Sequence, residues 1–426
     1  MATLWKSRYA QRTQRMGRSI IRELLKFTAQ PDLISFAGGL PAPELFPTER
    51  CQEAACRLLS EHGAQALQYG ASEGFPPLRQ FICDQMSRYG IYAQPDNVVI
   101  TSGSQQALDA IGKLLINPGD RILIEEPTYL GALQAWNAYQ ADYIPVPIDD
   151  DGLCTDKLEP ALRSGPKFMY VLPNFQNPGG TTLALSRRHD VVALSNRYGI
   201  PIVEDDPYGA LRFTGEHLPP LVALDANLQA TVGLNGHGYM EGNVIYLGTF
   251  SKTLAPGLRL GWMVAPVEVI DQVVMAKQGM DLHTSTFTQM LAYEMVKDGF
   301  LDDHIRLIRK VYGERRQVML DALQRYFPEG CSWTRPDGGL FLWARVPDWM
   351  DTADMLQEAV RFKVAYVPGF AFYSDPNRGR NTMRLNFSCE QPEKIEEGIR
   401  RLGKMLEQHM ADHLPKVVAV PATVPG

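Results

Sequence analysis

Between about residues 95 and 265 the chain alternates short, nearly continuous apolar runs with longer stretches whose apolar residues recur at helical spacing. The runs are NVVI (Asn97–Ile100), RILIEE (Arg121–Glu126), KFMYVL (Lys167–Leu172), IPIVE (Ile200–Glu204), NVIYL (Asn243–Leu247) and RLGWMVA (Arg259–Ala265). Their length and β-branched or aromatic content read as buried strands. Between the first two, SQQALDAIGKLLI sets Ala107, Leu108, Ile111, Leu114 and Leu115 on one helical face. Strands alternating with helices predict an α/β fold, a largely parallel sheet covered by helices on both sides. Beyond about residue 290 the texture changes. A long helical pattern (FLDDHIRLIRKVYGERRQVMLDALQRYF) precedes two strand-like stretches (GGLFLWARV and NTMRLNFSC) and an amphipathic helix (PEKIEEGIRRLGKMLEQHM). That predicts a smaller α+β domain, completed by the N-terminal segment. The expected division is an arm over 1–45, a large domain over 46–290, a small domain over 291–410 and a flexible tail over 411–426.

Composition narrows the function without choosing it. The 426 residues are 45% hydrophobic and 21% charged, with a formal net charge of −6. That balance offers no electrostatic case for nucleic acid or an anionic membrane. No apolar run reaches transmembrane length. The basic N-terminus has no apolar core of a secretory signal, and its shortage of acids only faintly resembles a transit peptide; a surface arm is the simpler expectation. Six scattered cysteines without a C-x-x-C pair, and eight histidines without ligand spacing, suggest a reduced, cytoplasmic protein with no structural metal. The glycine-rich NGHGYMEG (Asn235–Gly242) does not fit the dinucleotide fingerprint and reads as loop.

Chemistry gathers where the strands end. In open α/β sheets ligands bind beyond the carboxyl ends of the strands. TSGSQQ follows the first run and opens a helix, so Gly103, Ser104 and Gln105 can seat an anion at a helix N-terminus; alone, the same residues read as a serine N-cap. Tyr129 follows the second run and Asn177 the third; each alone reads as packing or a turn amide. EDDPY brings Asp205, Asp206 and Tyr208 after the fourth. The fifth is followed by Thr249, Ser251 and Lys252, with Arg259 seven residues past the lysine. One ligand accounts for all five ends, a planar phosphorylated aldehyde. Pyridoxal phosphate needs an amine for its Schiff base, a phosphate cup, a carboxylate for the pyridine nitrogen and a donor for the ring oxygen.

These motifs have a family resemblance. SFAGGLPAPELFP, LQYGASEGFPPLR, TSGSQQALD, EEPTYLGA, NPGG, EDDPY and GTFSKTLAPGLRLGW resemble the class I, fold-type I aminotransferases. They look most like the branch containing 2-aminoadipate, kynurenine and aromatic aminotransferases. The resemblance spans about residues 18–405. It implies a mostly parallel seven-stranded sheet in the large domain and pyridoxal phosphate as cofactor. Lys252 is implied to form the aldimine and then to shuttle the substrate α-proton. A free lysine titrates near ~10.4, so desolvation and nearby cations must lower that value. Asp205, rather than Asp206, is implied to face the pyridine nitrogen. Tyr208 and Asn177 are implied to bond the ring oxygen, Tyr129 to stack on the ring, and Gly103, Ser104, Gln105, Thr249, Ser251 and Arg259 to surround the phosphate. Tyr69, in the QYG motif, is implied to reach the phosphate of a neighbouring subunit, making a homodimer part of the site.

For the substrate, Arg384 in TMRLNFS alternates away from the apolar residues and suits a carboxylate; its other reading is a solvated edge-strand arginine. Gly39 lets backbone approach the substrate, and Arg22 sits where the aminoadipate branch holds an arginine near an acidic side chain. One departure stands out: Gly179 takes the place of the family's usual threonine in NPTG, with extra loop flexibility the expected consequence. The expected reaction moves an amino group from an L-amino acid of aminoadipate, aromatic or branched type to 2-oxoglutarate. A carbon–sulfur lyase or racemase would use the same lysine and aspartate. A ligand-sensing regulator would need a basic DNA-binding domain, and a nicotinamide oxidoreductase would leave Lys252 unexplained.

Overall fold

The computed structural model describes residues 4–17, 32–231 and 241–413. Arg22, most of the NGHGYMEG stretch and the tail beyond 413 lie outside them. The principal sheet contains β1 (Val98–Thr101), β2 (Arg121–Glu126), β3 (Asp142–Asp149), β4 (Gly152–Leu153), β5 (Met169–Val171), β6 (Ile202–Asp205), β7 (Val244–Thr249) and β8 (Gly261–Val264), in the order β1–β8–β7–β6–β5–β2–β3–β4. Seven strands form its body, and the two-residue β4 turns back on the end of β3. Pairing is parallel from β7 through β3, while β8 runs antiparallel to both β1 and β7. The carboxyl ends of β1, β2, β5, β6 and β7 therefore share one edge.

Why the strands read as unbroken apolar runs is visible in their burial. Val98, Ile100, Met169, Ile202, Val244 and Tyr246 join the core on one face, and Val99, Tyr170, Val203, Ile245 and Leu247 the core on the other. A sheet covered on both sides leaves no strand position for a solvated side chain. β3 escaped the sequence pattern because Pro145 and Pro147 interrupt it and half of its residues are exposed. It pairs with β2 from Asp142 to Pro147 and meets β4 only at Ile148 and Asp149. An almost open edge tolerates prolines that a central strand would not.

A second, antiparallel sheet orders Ser332–Trp333, Phe341–Arg345, Thr382–Asn386 and Val367–Pro368. The helices Phe300–Tyr326 and Pro392–His413 cover it, burying Ile308, Met319, Leu323, Ile395, Leu402 and Met405 against Phe341, Met383 and Leu385. Near the N-terminus, Ile34–Ser35 pairs in parallel with Val364–Ala365. The strand carrying Arg384 lies between two others and is buried throughout. This corrects the solvated edge-strand reading of that arginine.

Candidate active site

Register brings the strand ends together. Thr101 of β1 and Thr249 of β7 both pair with Gly261 of β8. A side chain at Gly261 would meet the Gly103 carbonyl carbon and the Ser104 nitrogen at 2.8 Å, so only glycine lets the turn after β1 settle onto the sheet. The helix Ser104–Leu115 begins there with Gly103, at φ 78°, as its N-cap and without a side-chain cap. The serine N-cap reading is thereby excluded, because Ser104 is already inside the helix. The Gly103 carbonyl accepts the Gln106 N–H, while the Ser104 and Gln105 N–H groups have no backbone acceptor and stay available to an anion. The Gln105 amide donates to the Gly131 carbonyl at 2.9 Å, so what Gln105 offers the site is its backbone.

Arg259, at φ 51°, closes the other side of this cup. A Cβ on Gly103 would stand 2.5 Å from its Nη2. The Thr249 and Ser251 hydroxyls lie 2.9 Å apart at the end of β7. Gly103→Ala is expected to destabilise the cofactor-free chain by about 1–3 kcal/mol, from the positive φ and the displaced guanidinium. Thermal melting of the variant checks this, together with its affinity for pyridoxal phosphate.

These residues open on a cavity of about 480 Å³ lined by Gly39, Leu40, Ser104, Gln105, Tyr129, Leu172, Asn177, Asp205, Tyr208, Thr249, Ser251, Lys252, Arg259, Phe341 and Arg384. The volume suits a small cofactor together with its substrate. Lys252 Nζ donates to the Gly39 carbonyl at 2.9 Å. Burial, then Arg384 and Arg259, lower the lysine's pKa to about 8. The amine is thus closer to a usable base at neutral pH than an ordinary lysine.

Strand alternation separates the carboxylates of EDDPY. Glu204 turns to the far side of the sheet and accepts the Leu221 and Val222 N–H groups. Asp205 turns into the cavity, where the Tyr170 hydroxyl donates to Oδ2 at 2.7 Å and Oδ1 is buried without a partner. Burial raises its pKa to about 7. Asp206 instead accepts from the Gly209 N–H, the Asn174 amide and the Tyr246 hydroxyl, and serves the turn. An orphaned carboxylate oxygen facing a cavity fits a cationic ring nitrogen, and the uncapped helix end beside Arg259 fits a phosphate. The donor set therefore matches pyridoxal phosphate.

Arg384 is 1% exposed. Its Nη1 donates to Asn177 Oδ1 and its Nη2 to the Ala37 carbonyl, both at 2.9 Å. The guanidinium lies 4.2 Å from the Phe341 ring centre and 5.0 Å from that of Phe372, while Nε has no partner. Burial lowers its pKa to about 10, which leaves it cationic at neutral pH. Asn177 Nδ2 reaches the Tyr208 hydroxyl at 3.5 Å, and burial raises the Tyr208 and Tyr129 phenols above their usual range. Tyr129 folds its ring back over Gly131, where any side chain would collide with it. The Gly179 turn is tied rather than loose. Gln176 Oε1 accepts the Gly179 N–H at 2.8 Å, and the Gln176 carbonyl accepts that of Gly180 at 2.6 Å.

Tyr69 is not brought to this cavity. It is 78% exposed and meets the His283 ring edge-on at 5.8 Å between centres. The sequence reading missed Tyr170, Gly261 and Phe341. Tyr170 carried a weak signal, a hydroxyl-tipped aromatic within an apolar strand; the other two carried none.

Comparison with known proteins agrees with this geometry. The family profile "Aminotransferase class I and II" matches residues 38–402. The chain is 46% identical to aromatic-amino-acid aminotransferase 1 of Thermococcus litoralis, over 94% of each sequence. It also superposes on the alpha-aminoadipate aminotransferase of Thermus thermophilus complexed with N-(5'-phosphopyridoxyl)-L-leucine, with TM-score 0.87 and 41% identity, covering 96% of this chain and all of that one. A kynurenine aminotransferase of Pyrococcus horikoshii, in complex with the cofactor's amine form, gives TM-score 0.88 and 43% identity, covering 96% and 98%.

Proposed function

From the premise that the chain belongs to the class I and II aminotransferases and depends on pyridoxal phosphate, we propose that its amino donor carries an apolar or aromatic side chain and that 2-oxoglutarate is the acceptor. One observation carries the donor assignment. Beyond Lys252, Arg259 and Arg384, no cation lines the cavity among the described residues, and Leu40, Leu172 and Phe341 supply apolar wall. We assign the cofactor's phosphate to Gly103, Ser104, Gln105, Thr249, Ser251 and Arg259, its ring face to Tyr129, its nitrogen to Asp205 and its ring oxygen to Asn177 and Tyr208. When bound, pyridoxal phosphate supplies a carbonyl carbon that carries the amine and a ring that accepts the electron pair left by the α-proton.

The chain's own groups do the rest. Arg384 and Asn177 hold the substrate carboxylate, which orients the α-hydrogen toward Lys252. Lys252 Nζ would take that proton and return it on the cofactor side; a water molecule would then break the substrate carbon–nitrogen bond and supply the oxygen of the departing 2-oxo acid, leaving the amine with the enzyme. Arg384→Leu is expected to lower kcat/KM for the amino acid about 100-fold, the scale of stranding a buried carboxylate, with most of the change in KM. Steady-state kinetics with the donor varied reads both.

The distal carboxylate of 2-oxoglutarate, like that of 2-aminoadipate, requires a cation beyond the described wall, and we assign that role to Arg22. Stopped-flow spectra of each half-reaction test the reading. L-tyrosine and L-leucine should discharge the visible band of the lysine-bound cofactor in both wild type and Arg22→Ala. Return of the band with 2-oxoglutarate should slow sharply in the variant alone. A donor preference restricted to 2-aminoadipate, or an acceptor half-reaction indifferent to Arg22→Ala, would overturn it. Release of an unsaturated or sulfur-containing fragment would favour the lyase instead.

We further propose a cytoplasmic homodimer in which Tyr69 serves the neighbouring site. Its exposure beside His283 supports this, as do six unpaired cysteines and the lack, among described residues, of a helix long and apolar enough to cross a membrane. The division at about residues 45, 290 and 410 is proposed with it, following the two sheets.

A further inference from the structure

A buried lysine that the chemistry does not use sits behind the anion cup. Lys277, in the last turn of the helix Val267–Gln278, has a side chain 2% exposed and does not line the cavity. Its Nζ lies 2.9 Å from Gln106 Oε1, 2.9 and 3.0 Å from the two Asp281 oxygens and 2.9 Å from Thr284 Oγ1. A buried ammonium survives only when paired and fully bonded, and these acceptors meet that demand.

Each acceptor leads somewhere. Gln106 Oε1 also accepts the Ser102 N–H at 2.8 Å, and its Nε2 donates to Asp281 Oδ2 at 2.7 Å. The Ser102 hydroxyl adds longer contacts to Asp281 and Thr284. Ser102 and Gln106 bracket Gly103, Ser104 and Gln105, the turn in which Ser104 and Gln105 line the cavity and keep N–H groups without a backbone acceptor. In the other direction, the His283 N–H donates to the Asp281 carbonyl, and His283 Nε2 accepts the Gly70 N–H at 3.2 Å. Gln289 joins the Thr284 carbonyl to the Phe75 N–H. One ammonium thus holds the helix-start turn on one side and the segment bearing Tyr69 on the other.

We propose that Lys277 is a positioning residue for the cofactor. It fixes Ser102 and Gln106 so that the intervening backbone N–H groups converge on the phosphate. The inference rests on the phosphate seat assigned above. N–H groups that must find their direction at the moment of binding spend affinity on ordering, whereas a prefixed turn does not.

Lys277→Met in the full-length enzyme tests it. Absorbance titration with pyridoxal phosphate after cofactor removal should show weakening of roughly tenfold or more, the scale of one lost charge-assisted hydrogen bond. The ³¹P resonance of the bound cofactor should move toward its free position, and inorganic phosphate should compete less well with reconstitution. Asp281→Asn added to Lys277→Met removes the stranded carboxylate. The double variant should regain thermal stability without regaining affinity or the ³¹P shift.

Unchanged affinity and ³¹P signal in Lys277→Met, or their recovery in step with melting temperature in the double variant, would overturn the proposal. Gly103→Ala separates this failure from failure of the seat itself. If Gly103→Ala weakens the cofactor and Lys277→Met does not, only the role of Lys277 falls. If neither does, the seat assignment falls with it.

Discussion

Lys252→Ala is expected to lower turnover by about 10,000-fold, the upper end of what a positioned proton-transfer group contributes. The variant keeps the cup of Gly103, Ser104 and Arg259, so it should still bind pyridoxal phosphate, held by hydrogen bonds instead of a covalent link. Borohydride reduction followed by denaturation checks the attachment. The wild-type chain should retain the chromophore on the peptide containing Lys252, and the variant should release it. Small primary amines added to the variant should restore part of the lost rate, since the missing element is a base of modest pKa. The cavity around Nζ is open enough to admit one. Covalent label on another lysine, or turnover within tenfold of wild type, would remove Lys252 from its role.

Asp205→Asn is expected to cost about 100- to 1,000-fold in kcat, the range for removing one preorganised electrostatic partner from a water-excluded site. The amide keeps the shape and the Tyr170 contact but loses the charge. The same carboxyl makes the cofactor-free chain sensitive to pH. Burial raises its folded pKa to about 7, above the unfolded value near ~3.9. Between those values the folded state binds more protons than the unfolded one, so stability falls as pH rises through the window. The full ionisation penalty is on the order of 4 kcal/mol.

The expected result is a melting temperature that drops from pH 5 to pH 7.5 in the cofactor-free chain and drops less in Asp205→Asn. Pyridoxal phosphate should flatten the slope in wild type, because a cation opposite Oδ1 favours the charged carboxylate. Parallel pH profiles for wild type and variant would show that the buried charge lies elsewhere.

Much of this site was legible before any coordinates. Apolar runs buried on both faces can be read because no solvated residue interrupts them, and the chemistry follows each run directly. Asp205 stood apart from Asp206 only through the family resemblance. In the structure the reason is strand alternation, which turns Glu204 away and Asp205 inward. β3 stayed hidden because its prolines sit on a nearly open edge, where the missing N–H groups cost little.

The amino-acid sequence by itself determined the buried strands of the principal sheet, the long helices and which reactive groups follow the strand ends, because those follow from local periodicity and from where a chain must leave a sheet. Tertiary structure alone decided what depends on contacts between distant segments. Gly261 pairs with Thr101 and Thr249 across three strands and so lets the helix-start turn close. Arg384 is buried between Phe341 and Phe372 because its strand is central. Lys277 reaches Gln106 from more than 170 positions away. Such contacts are set by the three-dimensional packing of whole elements, which no window of sequence contains.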